Sequence, residues 1–450
     1  MTDAPGVAAE YQPTPAEIRR VVWSSFLGTA LEWYDFFLFG TTAAIVFAPL
    51  FFPASSPTAS TLQSFVVFAV GFIARPFGAV LFGHFGDRLG RKGTLIATLT
   101  VMGTATTLMG VLPDYHTAGI VAPVLLTLLR FVQGLATGGE WGGATLMALE
   151  FAPEKERGLY ASVVQMGSPA GNILSTGAIA LVLALTGPAF LQWGWRIPYL
   201  LSIALVLVAL WMRSGLTESP EFAKLADANE VQKLPFFDLV REAWPRLLVA
   251  TMSYLYGIAG FFMMTTYGIS YVTHNVGANP QIALNAILAG AVAEVFTLWF
   301  AGRTAMRIGP VKTVALGYLA AAIGTAPFFF LLDTGNMTII AVAFVLGLGL
   351  SGIPYGPVGA VMNRLFPRRY AYSGLAVAAN LAGLISGFMP YITATVTQAT
   401  GGSAWGPTVL IVGIALISLV GVIIAGKMIE SDSTDRPIGL KPAHDYSVQE

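Results

Sequence analysis

Between Arg20 and Arg75 the chain has no basic residue, and only two acids, Glu32 and Asp35, interrupt the apolar pattern. A stretch of this kind cannot cover a surface exposed to water. A helix needs about 20 apolar residues to cross the hydrocarbon core of a bilayer, and runs of that length recur along the sequence. Twelve lie at roughly 20–50, 62–86, 93–112, 118–149, 159–187, 193–214, 246–273, 281–302, 312–332, 337–363, 371–400 and 405–428. "TPAE" at 14–17 begins the first as a helix, with Thr14 as N-cap, Pro15 in the first turn and Glu17 three residues on. The predicted fold class is an all-α membrane protein of twelve transmembrane helices.

Composition supports lipid as the solvent. The chain is 55% hydrophobic and 11% charged, where soluble domains carry about 25% charged residues. Its 24 basic and 24 acidic residues cancel, so charge points to no nucleic-acid partner. Without Cys there are no disulfides, thiolate metal ligands or Cys nucleophiles. His84, His116, His274 and His444 have no metal-ligand spacing. No nucleotide loop or nucleophile triad appears either, so neither an enzyme nor a metal or cofactor is expected. The polar residues 1–18 and the length of the first run argue against a cleaved signal peptide.

Orientation follows from the loops. The connections near 51–61, 113–117, 187–194, 274–280, 333–336 and 401–406 lack Lys and Arg. The alternate set carries Arg88, Arg91, Lys92, Lys155, Arg157, Arg303, Arg307, Arg364, Arg368 and Arg369, and the positive-inside rule makes that set cytoplasmic. An even number of spans puts both termini on the same side. The charged segment 215–245 divides the helices six and six, which predicts an N-terminal bundle over 1–214, a cytoplasmic linker over 215–245, a C-terminal bundle over 246–428 and a cytoplasmic tail over 429–450. A repeat agrees with this division. "GHFGDRLGRKG" at 83–93 and "GRTAMRIGPVK" at 302–312 align Gly83, Arg88 and Gly90 with Gly302, Arg307 and Gly309 at one offset. Two repeated halves place a transport site between them near mid-membrane.

Five segments carry a resemblance: "ALEWYDFFLFG", "ARPFGAVLFGHFGDRLGRK", "RFVQGLATGGEWGGA", "APEKERG" and "GWRIPYLLS". The glycine-rich loop at 83–93 resembles the signature loop of the major facilitator superfamily. Together the five resemble its metabolite:proton symporter family, which takes in transporters of shikimate, 2-oxoglutarate, citrate, and proline or betaine. The match runs through the whole amino-terminal half, whereas the other half matches mainly in helix count and a degenerate second loop. "QMGSPAG" at 165–171 carries only part of the drug-antiporter motif.

Glu32 and Asp35, three residues apart, share one helical face and lie roughly 18–23 Å along the first helix at 1.5 Å per residue. Carboxylates at that depth are costly and functional by default. They serve either helix packing or proton transfer. The second is the expectation, with Asp35 as first choice and Glu32 as modulator. Arg130 lies roughly 18 Å along the fourth helix, within "RFVQG". It stays protonated, so it either steers a carboxylate's proton affinity, holds a substrate carboxylate in its fork, or simply neutralises Glu32 or Asp35. Glu140, flanked by glycines, is the expected ion-pair partner of Arg75.

The resemblance implies that Asp87 and Arg88 of the signature loop brace the halves when the cytoplasmic side is shut. The expected gating set is Gly83, Asp87, Arg88, Gly90, Arg91, Arg157, Arg75 and Glu140. Met306 stands where the repeat would place an acid, so the brace is expected to be asymmetric. Glu294 is the one mid-membrane charge of the second half, either held protonated or a second proton site. Expected substrate contacts are Arg130, Gln133, Tyr34, Gln165, Asn172, Tyr254, Tyr355 and Asn380. The predicted function is a proton-coupled symporter that imports a small organic acid by alternating access, with the monomer as functional unit. An osmoprotectant symporter for proline or betaine is the alternative, ahead of a drug antiporter or a non-transporting receptor or scaffold. The predicted partners are an organic anion, a proton and the lipid bilayer.

Overall fold

A computed structural model describes residues 15–53, 56–89, 91–138, 154–214, 236–366 and 371–434. Thr14, Gly90, Glu140, the segment 215–235 and the tail beyond 434 lie outside the described residues, as do the surroundings of Gly83 and the side chains of Asp87, Arg88 and Arg91. All the secondary structure described is helical. The long helices are α1 (Pro15–Thr42), α2 (Pro57–Leu89), α3 (Arg91–Met109), α4 (Val121–Thr137), α5 (Gly167–Thr186) and α6 (Arg196–Ser214) in the first half. The second half holds α7 (Phe236–Phe262), α8 (Pro280–Ile308), α9 (Pro310–Thr325), α10 (Met337–Tyr355), α11 (Ala371–Gly387) and α12 (Trp405–Thr434). Nine helical stretches among the described residues are long and apolar enough to cross a bilayer, and three shorter apolar ones lie at Ile96–Met109, Val121–Thr137 and Arg196–Val208.

Local chemistry sets the ends of these helices. Asn279 caps α8 by accepting a bond from the Gln281 N–H, with Pro280 in the first turn. Asn336 caps α10 through the N–H groups of Thr338 and Ile339. Gly309, at φ +87°, ends α8 and turns directly into Pro310 of α9, a left-handed conformation that other residues resist. The repeated glycine of the second loop is therefore a backbone requirement. Four apolar runs expected to be continuous are interrupted: after Gln165, after Thr325, after Tyr355 and after Gly387. Pro327, Pro357 and Pro390 stand at or beside the last three breaks, where proline cannot donate to the helical ladder. The repeat also shows in the backbone. α1 runs into a π-helical turn at Ala43–Phe47 and α7 into one at Met263–Tyr267, at nearly the spacing of the two glycine loops.

Within the first half α1 packs on α5, α2 on α4, and α3 on α4 and α6. In the second half α8 packs on α10, α7 on α11 and α12, and α9 on α10 and α12. Contact between the halves comes from α5 and the short helix Arg157–Gln165 against α8, and from α2 against α11. Leu128, Phe296 and Ile323 are among many large apolar side chains left on the outer surface, as expected where the solvent is hydrocarbon.

The α2–α4 contact is unusually close. A Cβ on Gly134 would sit 2.1 Å from the Gly71 carbonyl oxygen, and one on Gly138 would sit 2.0 Å from that of Arg75. Small residues let membrane helices approach to backbone contact, and here that approach positions Arg75 and Arg130. Gly134→Ala is expected to destabilise the protein by about 1–3 kcal/mol or more through overpacking. Gly413→Ala, at a position with nothing within 4 Å, is the control and should unfold as the parent does. Thermal unfolding in detergent compares the two. Equal midpoints would mean that α2 and α4 separate freely.

Candidate functional site

Beyond Arg20 the only charges on α1 are Glu32 and Asp35, and both are buried: Glu32 is 2% and Asp35 3% exposed. They lead in different directions. Glu32 accepts a bond from Arg75 Nη2 of α2 at 2.6 Å, an ion pair with both side chains largely buried. The guanidinium of Arg75 lies over the rings of Phe36 and Phe72, 4.3 and 5.1 Å from their centroids. Removing one partner of such a buried pair costs about 3–5 kcal/mol. The expected partner Glu140 lies outside the described residues; among the described ones Arg75 pairs with Glu32.

Asp35 turns toward α3 and α6. It borders a small void with Leu31, Tyr34, Leu99, Met102, Ser202 and Leu205. Thr106 of α3 lies beside its carboxylate and accepts a bond from Gln133 Nε2 at 2.8 Å. Gln133 Oε1 in turn accepts from Arg130 Nη1. Arg130 therefore reaches Asp35 through two intermediaries rather than by a direct pair. Its guanidinium sits 4.2, 4.5 and 5.2 Å from the ring centroids of Phe39, Phe36 and Phe68, and Nη2 reaches the Phe68 carbonyl at 3.5 Å. Residue 130 is wholly buried and Nε has no hydrogen-bond partner. A charge in this cage is held by ring faces and a side-chain amide, each cation–π contact being worth up to about 2 kcal/mol when desolvated.

A second cavity lies between the halves. Trp33, Arg75, Thr137 and Gly138 line it from the first half, and Tyr254, Ile258, Ala376, Ala379 and Asn380 from the second. Trp33 stacks on Phe37 at 5.2 Å and meets Phe262 at 6.2 Å. Phe262 also touches Phe68 and Phe72, so an aromatic cluster joins α1, α2 and α7 beside the cavity. Further along α1, Gly40 lies against Thr266.

Four of the expected substrate contacts fall in or beside this cavity. Tyr254 and Asn380 line it. Tyr355 stacks on Tyr254 with ring centroids 5.9 Å apart, and Gln165 Nε2 donates to the Tyr254 hydroxyl at 3.3 Å. Asn380 Nδ2 donates to the Ala376 carbonyl at 2.9 Å and reaches across to that of Gly138 at 3.3 Å. Four others fall elsewhere. Tyr34 donates to the Pro198 carbonyl inside the first half at 2.8 Å, and its neighbour Trp33 faces the cavity. Arg130 and Gln133 are locked to each other, away from the lining. Asn172 is buried on α5, where it accepts from Thr176. Arg157, expected at the gate, starts a short helix, and its Nε is buried without a partner. Glu294 is 1% exposed and lies against Gly352 of α10, and its Oε2 has no partner. Reading the sequence missed Trp33 as a lining residue and Thr106 as a link. Thr106 carried no signal, because hydroxyls at that spacing are common in the third run.

The profile of the Major Facilitator Superfamily matches residues 25–390. The chain belongs to the major facilitator superfamily. Its relatives include the inner membrane metabolite transport protein YhjE of Escherichia coli, 39% identical with 91% of this chain and 96% of that protein covered. The shikimate transporter of the same organism is 38% identical, with 89% and 92% covered. The Escherichia coli proline/betaine transporter is 30% identical, with 95% and 86% covered. Among solved structures, the proton:xylose symporter XylE superposes with a TM-score of 0.73 at 17% identity, covering 93% of this chain and 97% of that one. That likeness shows the fold. The molecule is thus a multi-pass membrane protein of a transporter family, and the two cavities and the buried carboxylates are features of its interior.

Proposed function

We propose that this facilitator is a proton-coupled symporter that imports a small organic acid by alternating access. The carrying observation is the pair of acids on α1: each is buried, and each is tied to a different cation, Glu32 directly to Arg75 beside the cavity and Asp35 to Arg130 through Thr106 and Gln133. A helix that only packs has no use for such groups in hydrocarbon. The relative named a shikimate transporter supports an organic acid. In this reading twelve helices form two six-helix bundles joined by the linker 215–245, with both termini cytoplasmic and the protein in the inner membrane. A second reading, an osmoprotectant symporter, draws on the proline/betaine relative and on Trp33 and Tyr254 in the cavity wall, since aromatic faces suit a quaternary ammonium.

Uptake of labelled shikimate and labelled glycine betaine into energised membrane vesicles tests both. Accumulation against the gradient that collapses with a protonophore is expected for one of them. Equilibration without accumulation would make the protein a facilitator. Asp87 and its loop are assigned to the brace between the halves. Asp87→Asn should slow turnover while leaving the dissociation constant of the transported acid unchanged, and normal turnover at equal expression would remove the brace.

A further inference from the structure

Arg75 differs from every other buried cation described here: it lines the cavity between the halves and already holds an anion. Its fork faces Glu32 through Nη2 at 2.6 Å, and its Nε is buried without a hydrogen-bond partner. Phe36 and Phe72 fix the plane of the guanidinium. Among the described residues that line this cavity Arg75 is the one cation, and the facing wall offers the neutral Tyr254 and Asn380. Arg130, the expected anion holder, is caged elsewhere.

We infer that Arg75 is the anchor for the carboxylate of the transported molecule, and that Glu32 is a resident anion which that carboxylate displaces as Glu32 takes up a proton. The inference rests on the organic-acid reading above and deepens it. Before binding, Arg75 and Glu32 sum to zero charge. A carboxylate that simply added to them would leave a net negative site in a medium where unpaired charge costs several kcal/mol. If a proton joins Glu32, the products are an Arg75–carboxylate pair and a neutral Glu32 acid, and the sum is again zero. Arg75 cannot supply the proton, because a guanidinium stays charged, so the proton comes from the bathing solution. Anion and proton thus enter together by charge balance. Among the described residues, the titratable or charged groups facing Glu32 are Arg75 from α2, the Tyr254 hydroxyl from α7 and Asp35 one turn along α1 itself. This arrangement gives the two α1 acids successive tasks: Glu32 takes up the proton as the carboxylate binds, and Asp35, at the end of the first-half network, passes it on through the cycle.

The test uses the purified full-length protein in weakly buffered detergent, with shikimate and glycine betaine as probes. A pH indicator reads proton uptake on binding, and calorimetry reads the dissociation constant across neutral pH. With shikimate, a net anion, about one proton should be taken up, and its dissociation constant should rise with pH by up to about tenfold per unit; glycine betaine carries its own cation and should bring no proton. Glu32→Gln should bind with no proton uptake and no pH slope, and more tightly than the parent at alkaline pH, because the competing anion is gone. Arg75→Gln should weaken binding by about tenfold or more, the loss of a charge-assisted fork. Should Glu32→Gln fail to fold, shikimate methyl ester on the parent protein decides, since an ester has no anion to balance and should bring no proton. The inference is overturned if Glu32→Gln keeps the parental slope, if the ester takes up the same proton, or if neither carboxylate binds. Proton-linked binding through Glu32 without uphill uptake in vesicles would instead remove only the symporter reading.

Discussion

Asp35→Asn is expected to abolish uphill accumulation while exchange of labelled for unlabelled substrate continues. Asparagine keeps the size of the side chain and its capacity to bond Thr106, so the packing around Leu31, Met102 and Leu205 is preserved. What it loses is the ability to bind and release a proton. A proton gradient can drive transport only through a group whose charge changes between the two faces of the membrane. Exchange moves no net proton and needs only the conformational cycle, so it should survive. The measurement is paired: accumulation in energised vesicles and counterflow in de-energised ones. If Asp35→Asn and Glu32→Gln both still accumulate substrate, the α1 acids are structural and the coupling proposal falls.

These acids were visible in the sequence because charge is conspicuous in an apolar run, and depth along the helix could be counted from its start. Their partners were not visible. Counting depth placed Arg130 level with Glu32 and Asp35, and Glu140 deeper toward the cytoplasm, but it cannot say how each helix is rotated about its axis. Around Glu32 and Asp35 the rest of α1 is largely apolar, so the sequence did not report which neighbour each acid meets, and Tyr34 was as good a candidate as Trp33 for facing the other half. The structure sets that rotation by packing α1 on α5 and turning Trp33 toward Phe262. The Arg75–Glu32 pair depends on α2 lying against α4 at glycine contacts, a relation between distant segments. By contrast Gly309 was legible as a turn from its repeat with Gly90, because a left-handed backbone demands glycine locally. The interruptions near Pro327, Pro357 and Pro390 were also written in the residues, yet an apolar count passes over them.

Arg130→Lys should abolish transport even though the charge is retained, and carboxylate binding should change far less than in Arg75→Gln. Lysine can place an ammonium near Phe36, Phe39 and Phe68, but it has no planar fork to lie across those rings and meet Gln133 and the Phe68 carbonyl together. A hydrogen bond to a charged group is worth about 1.5–3 kcal/mol, so losing the Gln133 contact corresponds to about one to two orders of magnitude in whatever step depends on it. Gln133 would then lose the partner that orients its amide, and with it the bond that Nε2 donates to Thr106 beside Asp35. The damage therefore travels to Asp35 and leaves Arg75 untouched, since Arg75 faces the cavity and is paired with Glu32. Uptake in vesicles and calorimetry with shikimate on the purified variant separate these outcomes. Near-normal uptake would mean that a positive charge alone suffices at this position. A loss of shikimate binding as deep as that of Arg75→Gln would return the substrate carboxylate to Arg130, where a reading of the sequence first placed it.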